Sequence, residues 1–216
     1  MLAGLLSVLL VAGLIGLGVW VATDEPAAAP EPEPATFAAA PPPEETPIAT
    51  AGAVDKLPAV KIKDLTAAAT AAGCSLSAPP DEGHAHDARE FTINDYRSNP
   101  PTSGTHFPEW YEDGIYAGGT TPELGKLVHA LEHGRIELQY EPGTSPEDIA
   151  QLEILDNELD RGHHVLLVEN DTEMPFAVAA AAWGHLLGCP KMNDKVFDAL
   201  RAFRTNYVDK GPETVP

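Results

Sequence analysis

A chain of 216 residues with 33 acidic against 13 basic side chains carries a formal net charge of −20, a field that repels phosphate backbones and anionic lipid surfaces and so argues against nucleic acid as a partner. The first fifty or so residues are too biased in composition to join a packed core, which leaves roughly 160 for one domain. Two cysteines, with no CxxC and no third thiol, exclude a tetrathiolate metal site and a thioredoxin-type redox pair.

Residues 1–22 hold no charged side chain and are nearly all Leu, Val, Ile, Ala and Gly, enough for a helix to cross a hydrocarbon core of about 30 Å. The apolar run starts without a basic segment and is longer than that of a typical cleaved signal, so it is expected to stay as a single-pass anchor. Cleavage after Ala27-Ala28-Ala29 is the alternative. Residues 23–56 are dominated by Pro, Ala, Glu and Thr, with Pro41-Pro42-Pro43 near the centre. They read as a disordered tether, able to hold a domain up to roughly 90 Å from the bilayer. The globular domain is expected over residues 57–210.

Within it, residues 61–72 read as a short Ala-rich helix ended by Gly73, with Cys74 next. A structural disulfide between Cys74 and Cys189 is the economical reading, against two unrelated buried thiols. Closing so long a loop is worth about 4 to 5 kcal/mol in the chain-entropy model. Such a bond persists only outside the cytoplasm, which puts the domain on the extracytoplasmic side of the cell membrane. Residues 75–116 are rich in Pro, Gly, His, Asp and aromatics, with one plausible strand around Phe91–Ile93. An ordered loop this long usually has a function or a private packing scheme.

Thr121 as N-cap and Pro122 at the first helical position open a helix that runs to His133 and stops at Gly134. Arg135–Tyr140 alternates as a strand, Ser145–Asp160 reads as a helix, and His164–Glu169 is a β-rich apolar run. That order is a βαβ unit. Phe176–Trp183 is a further strand, and Asp194–Tyr207 a closing amphipathic helix with Val196, Phe197, Leu200 and Phe203 on one face. The expected fold class is α/β, with α+β as the alternative: a small mixed sheet, flanking helices and the long Pro-rich loop.

The chemistry centres on Leu127-Val128-His129-Ala130-Leu131-Glu132-His133-Gly134. His129 and His133, four apart, project from one helix face and can share one metal ion. A helix supplies only two such ligands, so others must come from the loop, which offers His106 and either His84 or His86. The consecutive prolines Pro100-Pro101 stiffen the backbone ahead of His106.

The strings YRSNPPTSGTHFPEW, GIY, LVHALEHGRIELQY and AAWGHLLGC resemble a bacterial family known as domain of unknown function 3105, over about residues 72 to 206. The resemblance implies an extracytoplasmic domain, commonly behind one membrane anchor, with matching cysteines at Cys74 and Cys189. It maps the family's recurrent histidines onto His86, His106, His129 and His133. Thr105 stands where a proline is common.

The reading preferred on these residues is a tethered envelope domain that holds a copper or zinc ion through His86, His106, His129 and His133. His129-Ala130-Leu131-Glu132-His133 also matches the H-x-x-E-H pattern of inverzincin peptidases, which makes a zinc hydrolase with Glu132 as general base the first alternative. The second is a metal-free module whose tether lets an acidic domain reach an envelope protein partner. His84 reads as a solvated neighbour. His163, His164 and His185 read as structural, and Tyr96, Asn99, Thr102 and Ser103 as residues that hold the loop through hydrogen bonds to backbone.

Overall fold

The computed structural model describes residues 56–213 except 117 and 121. The expected anchor over 1–22, nearly all of the tether over 23–56 and the expected cap Thr121 lie outside the described residues. Among those described, no helix is long and apolar enough to cross a membrane.

The chain enters the domain through the N–H groups of Lys61 and Ile62, which donate to Asp198 Oδ2 at 3.0 and 2.9 Å. Helix α1 (Leu65–Ala72) starts where Asp64 accepts from the Ala67 N–H, and ends where Gly73 turns left-handed at φ 75°. That turn delivers Cys74 to the edge strand β1 (Ser75–Ser77) and to its disulfide with Cys189, Cα to Cα 4.2 Å. Strand β2 (Gly114–Tyr116) closes the long loop and precedes helix α2 (Leu124–Glu132). Strand β3 (Ile136–Tyr140), helix α3 (Pro146–Glu158) and strand β4 (Val165–Glu169) follow. Strands β5 (Val178–Ala182) and β6 (His185–Cys189) form a hairpin, and helix α4 (Val196–Tyr207) comes last.

The six strands make one mixed sheet in the order β1-β6-β5-β3-β4-β2. Strands β2 and β3 flank β4 in parallel, and the β5–β6 hairpin joins β3 antiparallel. The βαβ unit expected from the sequence is β3-α3-β4. On one face, Ile136, Leu138, Val165, Leu167 and Leu187 form an apolar core with Leu152 and Leu155 of α3 and with Phe197, Leu200 and Phe203 of α4. On the other, Leu131 of α2 packs on Ala179, Ala181 and Leu186, and Leu127 and Ala130 pack on Leu166 and Val168.

Two expectations need correction. Phe91–Ile93 is not a strand: Thr92 is tied back to Asp95 Oδ2 through its N–H (2.8 Å) and hydroxyl (3.1 Å), and Ile93–Asp95 makes one 3-10 turn. Such side-chain bonding competes with extended pairing. Helix α2 begins at Leu124 behind Glu123, later than the cap-and-proline signal indicates. The strands β1, β2 and β6 had no clear signal of their own, because two are three residues long and the third is interrupted by a glycine.

Candidate metal centre

Four residues scattered over 47 positions of sequence meet on the α2 side of the sheet. Residues 83–87 run alongside 104–106: Gly104 N donates to Gly83 O at 2.9 Å, His106 N to Ala85 O at 3.0 Å and Asp87 N to His106 O at 2.8 Å. This parallel bridge sets His86 beside His106. Helix α2 lies close enough to complete the group because residue 125 is glycine. A Cβ there would meet Phe91 Cδ2 at 2.5 Å and the Phe107 nitrogen at 3.1 Å. One turn on, His129 Nδ1 lies 2.7 Å from the Phe107 carbonyl, an acceptor only, so Nδ1 carries the proton and Nε2 keeps its lone pair. His106 is set the same way, Nδ1 donating to Gly104 O at 2.8 Å. A backbone carbonyl that fixes tautomer and ring orientation is the usual outer support of a metal-ligating histidine.

The freed nitrogens converge on Glu132. Its Oε2 lies 3.0 Å from His106 Nε2, 3.4 Å from His86 Nε2 and 4.0 Å from His129 Nε2. One ligand atom from each of the four residues falls within 4.8 Å of all the others. Ligands about 2 Å from a shared ion stand about 3.3 Å apart in a tetrahedral site and at most about 4 Å. The contacts of His106 and His86 with Glu132 already fit, and any wider pair must draw in on binding. His106 is fully buried, Glu132 and His129 nearly so, and His86 is the one exposed member. Trp110 packs 5.3 Å from the His129 ring and Trp183 edges onto His106 at 6.1 Å.

Protonation favours ligands. Burial lowers the His129 pKa to about 4, against the opposing bond to Phe107, and His106 and His86 lower it further. Burial, followed by the charges of His129 and Arg135, lowers His133 to about 3. Both are neutral at physiological pH. Burial would raise the Glu132 carboxyl, but its contact with His106 and the charges of the surrounding imidazoles outweigh this and hold it below its ordinary value. Glu132 Oε2 and His106 Nε2 thus face each other at 3.0 Å, both buried, and neither atom has a hydrogen-bond partner elsewhere.

A protein-family model described as Protein of unknown function (DUF3105) matches residues 87–215, more than half of the chain. The chain belongs to the DUF3105 family. No curated protein and no solved structure matches it.

In this DUF3105 chain the match begins one residue after His86 and takes in His106, His129, Glu132 and His133. His133 stands beside the group and outside it: its Nε2 is 3.0 Å from His129 Nε2, but it is not one of the four mutually close ligands. Glu132, weighed from the sequence only as a base, is one of the four. The H-x-x-E-H spacing held that signal, because residues i and i+3 share a helix face as i and i+4 do. His84 is exposed and outside the group.

Asp113, His163 and His164 form a second close group that sequence reasoning missed. Asp113 already accepts from Arg135 Nε at 2.9 Å and from the His164 N–H at 2.8 Å, so its charge is spent on the turn that leads into β4. His185 stacks on Tyr207 with ring centroids 4.0 Å apart. The loop is held much as expected: Asn99 Nδ2 donates to Thr172 O at 2.7 Å, Tyr96 hydroxyl to Thr105 O at 3.0 Å, and Ser103 Oγ accepts from Glu82 N at 3.0 Å. A cavity of about 660 Å³ is lined by Phe91, Phe107, Leu124 and Lys126 among others, but by none of the four clustered residues.

Proposed function

We propose that this DUF3105 domain binds one divalent metal ion, copper or zinc, through His86, His106, His129 and Glu132, for storage, delivery or structure. In this reading it does so on the extracytoplasmic side of a membrane, to which residues 1–22 tether it. The observation that carries the metal reading is the pair His106 Nε2 and Glu132 Oε2, 3.0 Å apart, both buried and with no hydrogen-bond partner elsewhere. A carboxylate oxygen buried among three imidazoles is costly to desolvate. One cation between them removes that cost and uses both groups. Imidazole suits both zinc and copper, and the carboxylate with no thiolate favours Cu(II) over Cu(I). The extracytoplasmic setting draws support from the Cys74–Cys189 disulfide and from the uncharged apolar run of residues 1–22.

Hydrolysis fits less well. In the inverzincin arrangement both histidines of the motif hold zinc and the glutamate stands off to activate water. Here Glu132 belongs to the close group and His133 does not.

Elemental analysis of the purified full chain, loaded with zinc or copper and dialysed against ion-free buffer, tests the proposal. One ion per chain is expected, lost in His106→Ala, His129→Ala and Glu132→Ala. A chain that retains no ion fits the metal-free interaction module instead. An ion retained in Glu132→Ala, together with peptide turnover that this variant abolishes, fits the hydrolase.

A further inference from the structure

His133 has no role in the four-residue group, yet its placement is specific. It caps the C-terminus of α2, is only 4% exposed, and directs Nε2 to within 3.0 Å of His129 Nε2 on one side and 3.5 Å of Glu213 Oε2 on the other. Glu213 is half-exposed, at 51% of its side chain. Its position is not that of a loose surface residue. The segment beyond α4 is laid across the end of α2 by two backbone bonds, Asp209 N to Gly134 O at 2.9 Å and Glu213 N to Glu132 O at 3.1 Å. Gly211 permits this contact, since a Cβ there would collide with the Glu132 carbonyl. The same peptide that carries the proposed ligand Glu132 therefore holds Glu213 in place.

The result is a row of ligand-type atoms leading inward from solvent: Glu213 Oε2, His133 Nε2, His129 Nε2 and then the buried group. Neighbours 3.0 to 3.5 Å apart can both touch one ion, because each metal–ligand bond is about 2 Å long. An ion can thus pass along the row by exchanging one ligand at a time, never bare in the interior. His129 belongs to both ends of that exchange. For His133 to offer its Nε2 lone pair the ring proton must sit on Nδ1. That change of tautomer gives up the His133 Nε2–H bond to His129 Nε2 and puts a proton on a buried atom with no acceptor, a cost that the bond to the ion must offset and one that makes this the weaker site.

We propose that Glu213 and His133 form a loading port, a second and weaker cation site that captures a divalent ion from solvent and hands it through His129 to the inner group. The proposal rests on the metal reading above and adds the route by which the site fills and empties. A carboxylate at the mouth of such a route raises the local cation concentration, and the domain's overall negative charge acts in the same direction.

The test uses the purified full chain and cobalt(II) ion alone, with uptake followed by rapid-mixing absorbance, release by an excess of chelator, and stoichiometry by elemental analysis. The parent chain, Glu213→Gln and His133→Ala are all expected to bind one cobalt at equilibrium, with uptake and release slowed about tenfold or more in both variants. Unchanged rates in Glu213→Gln overturn the port while leaving the inner site intact. Loss of the ion at equilibrium in His133→Ala also overturns it, by making His133 an inner ligand. A parent chain that takes up no cobalt overturns the metal reading itself. Should His133→Ala fail to fold, Glu213→Gln, altered only at a half-exposed side chain, decides the matter alone.

Discussion

On one face of the sheet, Ile136, Leu138, Leu167 and Leu187 meet Leu152, Phe197, Leu200 and Phe203 in an apolar layer closed by the disulfide at Cys189. On the other face the same β3 presents Glu137 and Gln139, only 1% and 2% exposed. Gln139 Nε2 donates to Glu137 Oε2 at 2.6 Å and Asn170 Nδ2 to Gln139 Oε1 at 2.6 Å. Asn170 Oδ1 accepts from Thr172, whose hydroxyl and carbonyl engage Asn99 at the start of the Pro-rich loop. The first face is held by area removed from water, which is non-directional and tolerant of shape. The second combines two smaller apolar clusters under α2 with directional polar contacts, each costly to leave unmet. Sheet and apolar layer thus act as the rigid base, and the polar face carries the chemistry.

The largest effect is expected from removing the disulfide on the apolar side. Cys74→Ser with Cys189→Ser should cost about 5 kcal/mol in denaturant unfolding, for a loop of this span, while the ion stoichiometry of the folded fraction stays unchanged. On the polar side, His106→Ala should cost the ion-free domain about 2 to 4 kcal/mol, because it empties a fully buried site and leaves Glu132 without its nearest partner. What it should abolish is stabilisation by added zinc, about 2.7 kcal/mol at a hundredfold excess over Kd. Thermal melts with and without zinc read this directly. Gly125→Ala should cost about 1 to 3 kcal/mol by overpacking against Phe91 and Phe107, and should weaken ion binding as well, because it pushes the Phe107 carbonyl away from His129. If stability falls and affinity holds, the coupling of loop to helix is wrong. Ser145→Ala, which removes the cap that accepts from Asp148 N at 3.1 Å, should cost about 1 kcal/mol and leave ion binding untouched.

The two faces also differ in their response to pH. Burial raises the Glu137 carboxyl to about 8, so the folded state keeps a proton that the unfolded chain has lost. The stability that this proton contributes to the ion-free domain should therefore be full below about pH 4.5, fall as pH rises from there to about 8 and level off above. Above about pH 7.5 His129 and His133 are neutral in both states and Glu137 acts without them. Below it they act the other way, because their folded pKa values are depressed, and stability they contribute is lost as pH falls. Glu137→Gln should flatten the upper window in urea titrations across that range. A slope that survives in this variant would assign the effect to another group.

Sequence periodicity carried most of the apolar face. The spacing of Val196, Phe197, Leu200 and Phe203, the Ser145 cap with Pro146 behind it and the Gly73 stop each act within a few residues, so they were legible without the rest of the chain. The alternation of Ile136-Glu137-Leu138-Gln139-Tyr140 gave the strand and its core face correctly. It also marked Glu137 and Gln139 as polar positions, which ordinarily means solvent. They are buried because α2 and the Pro-rich loop cover that face, and such coverage leaves no periodic trace.

The centre divides along the same line. Helical geometry put His129, Glu132 and His133 on one side of α2, and the cysteine count alone pointed to the Cys74–Cys189 pair. Which of those three would join His86 and His106 was decided by contacts between segments distant in sequence: the parallel bridge at 86 and 106, the glycine at 125 that admits Phe107, and the carbonyls that fix each imidazole tautomer. Local sequence determines what repeats within a few residues. The convergence of lone pairs on one point depends on tenths of an ångström between segments that only the folded chain brings together.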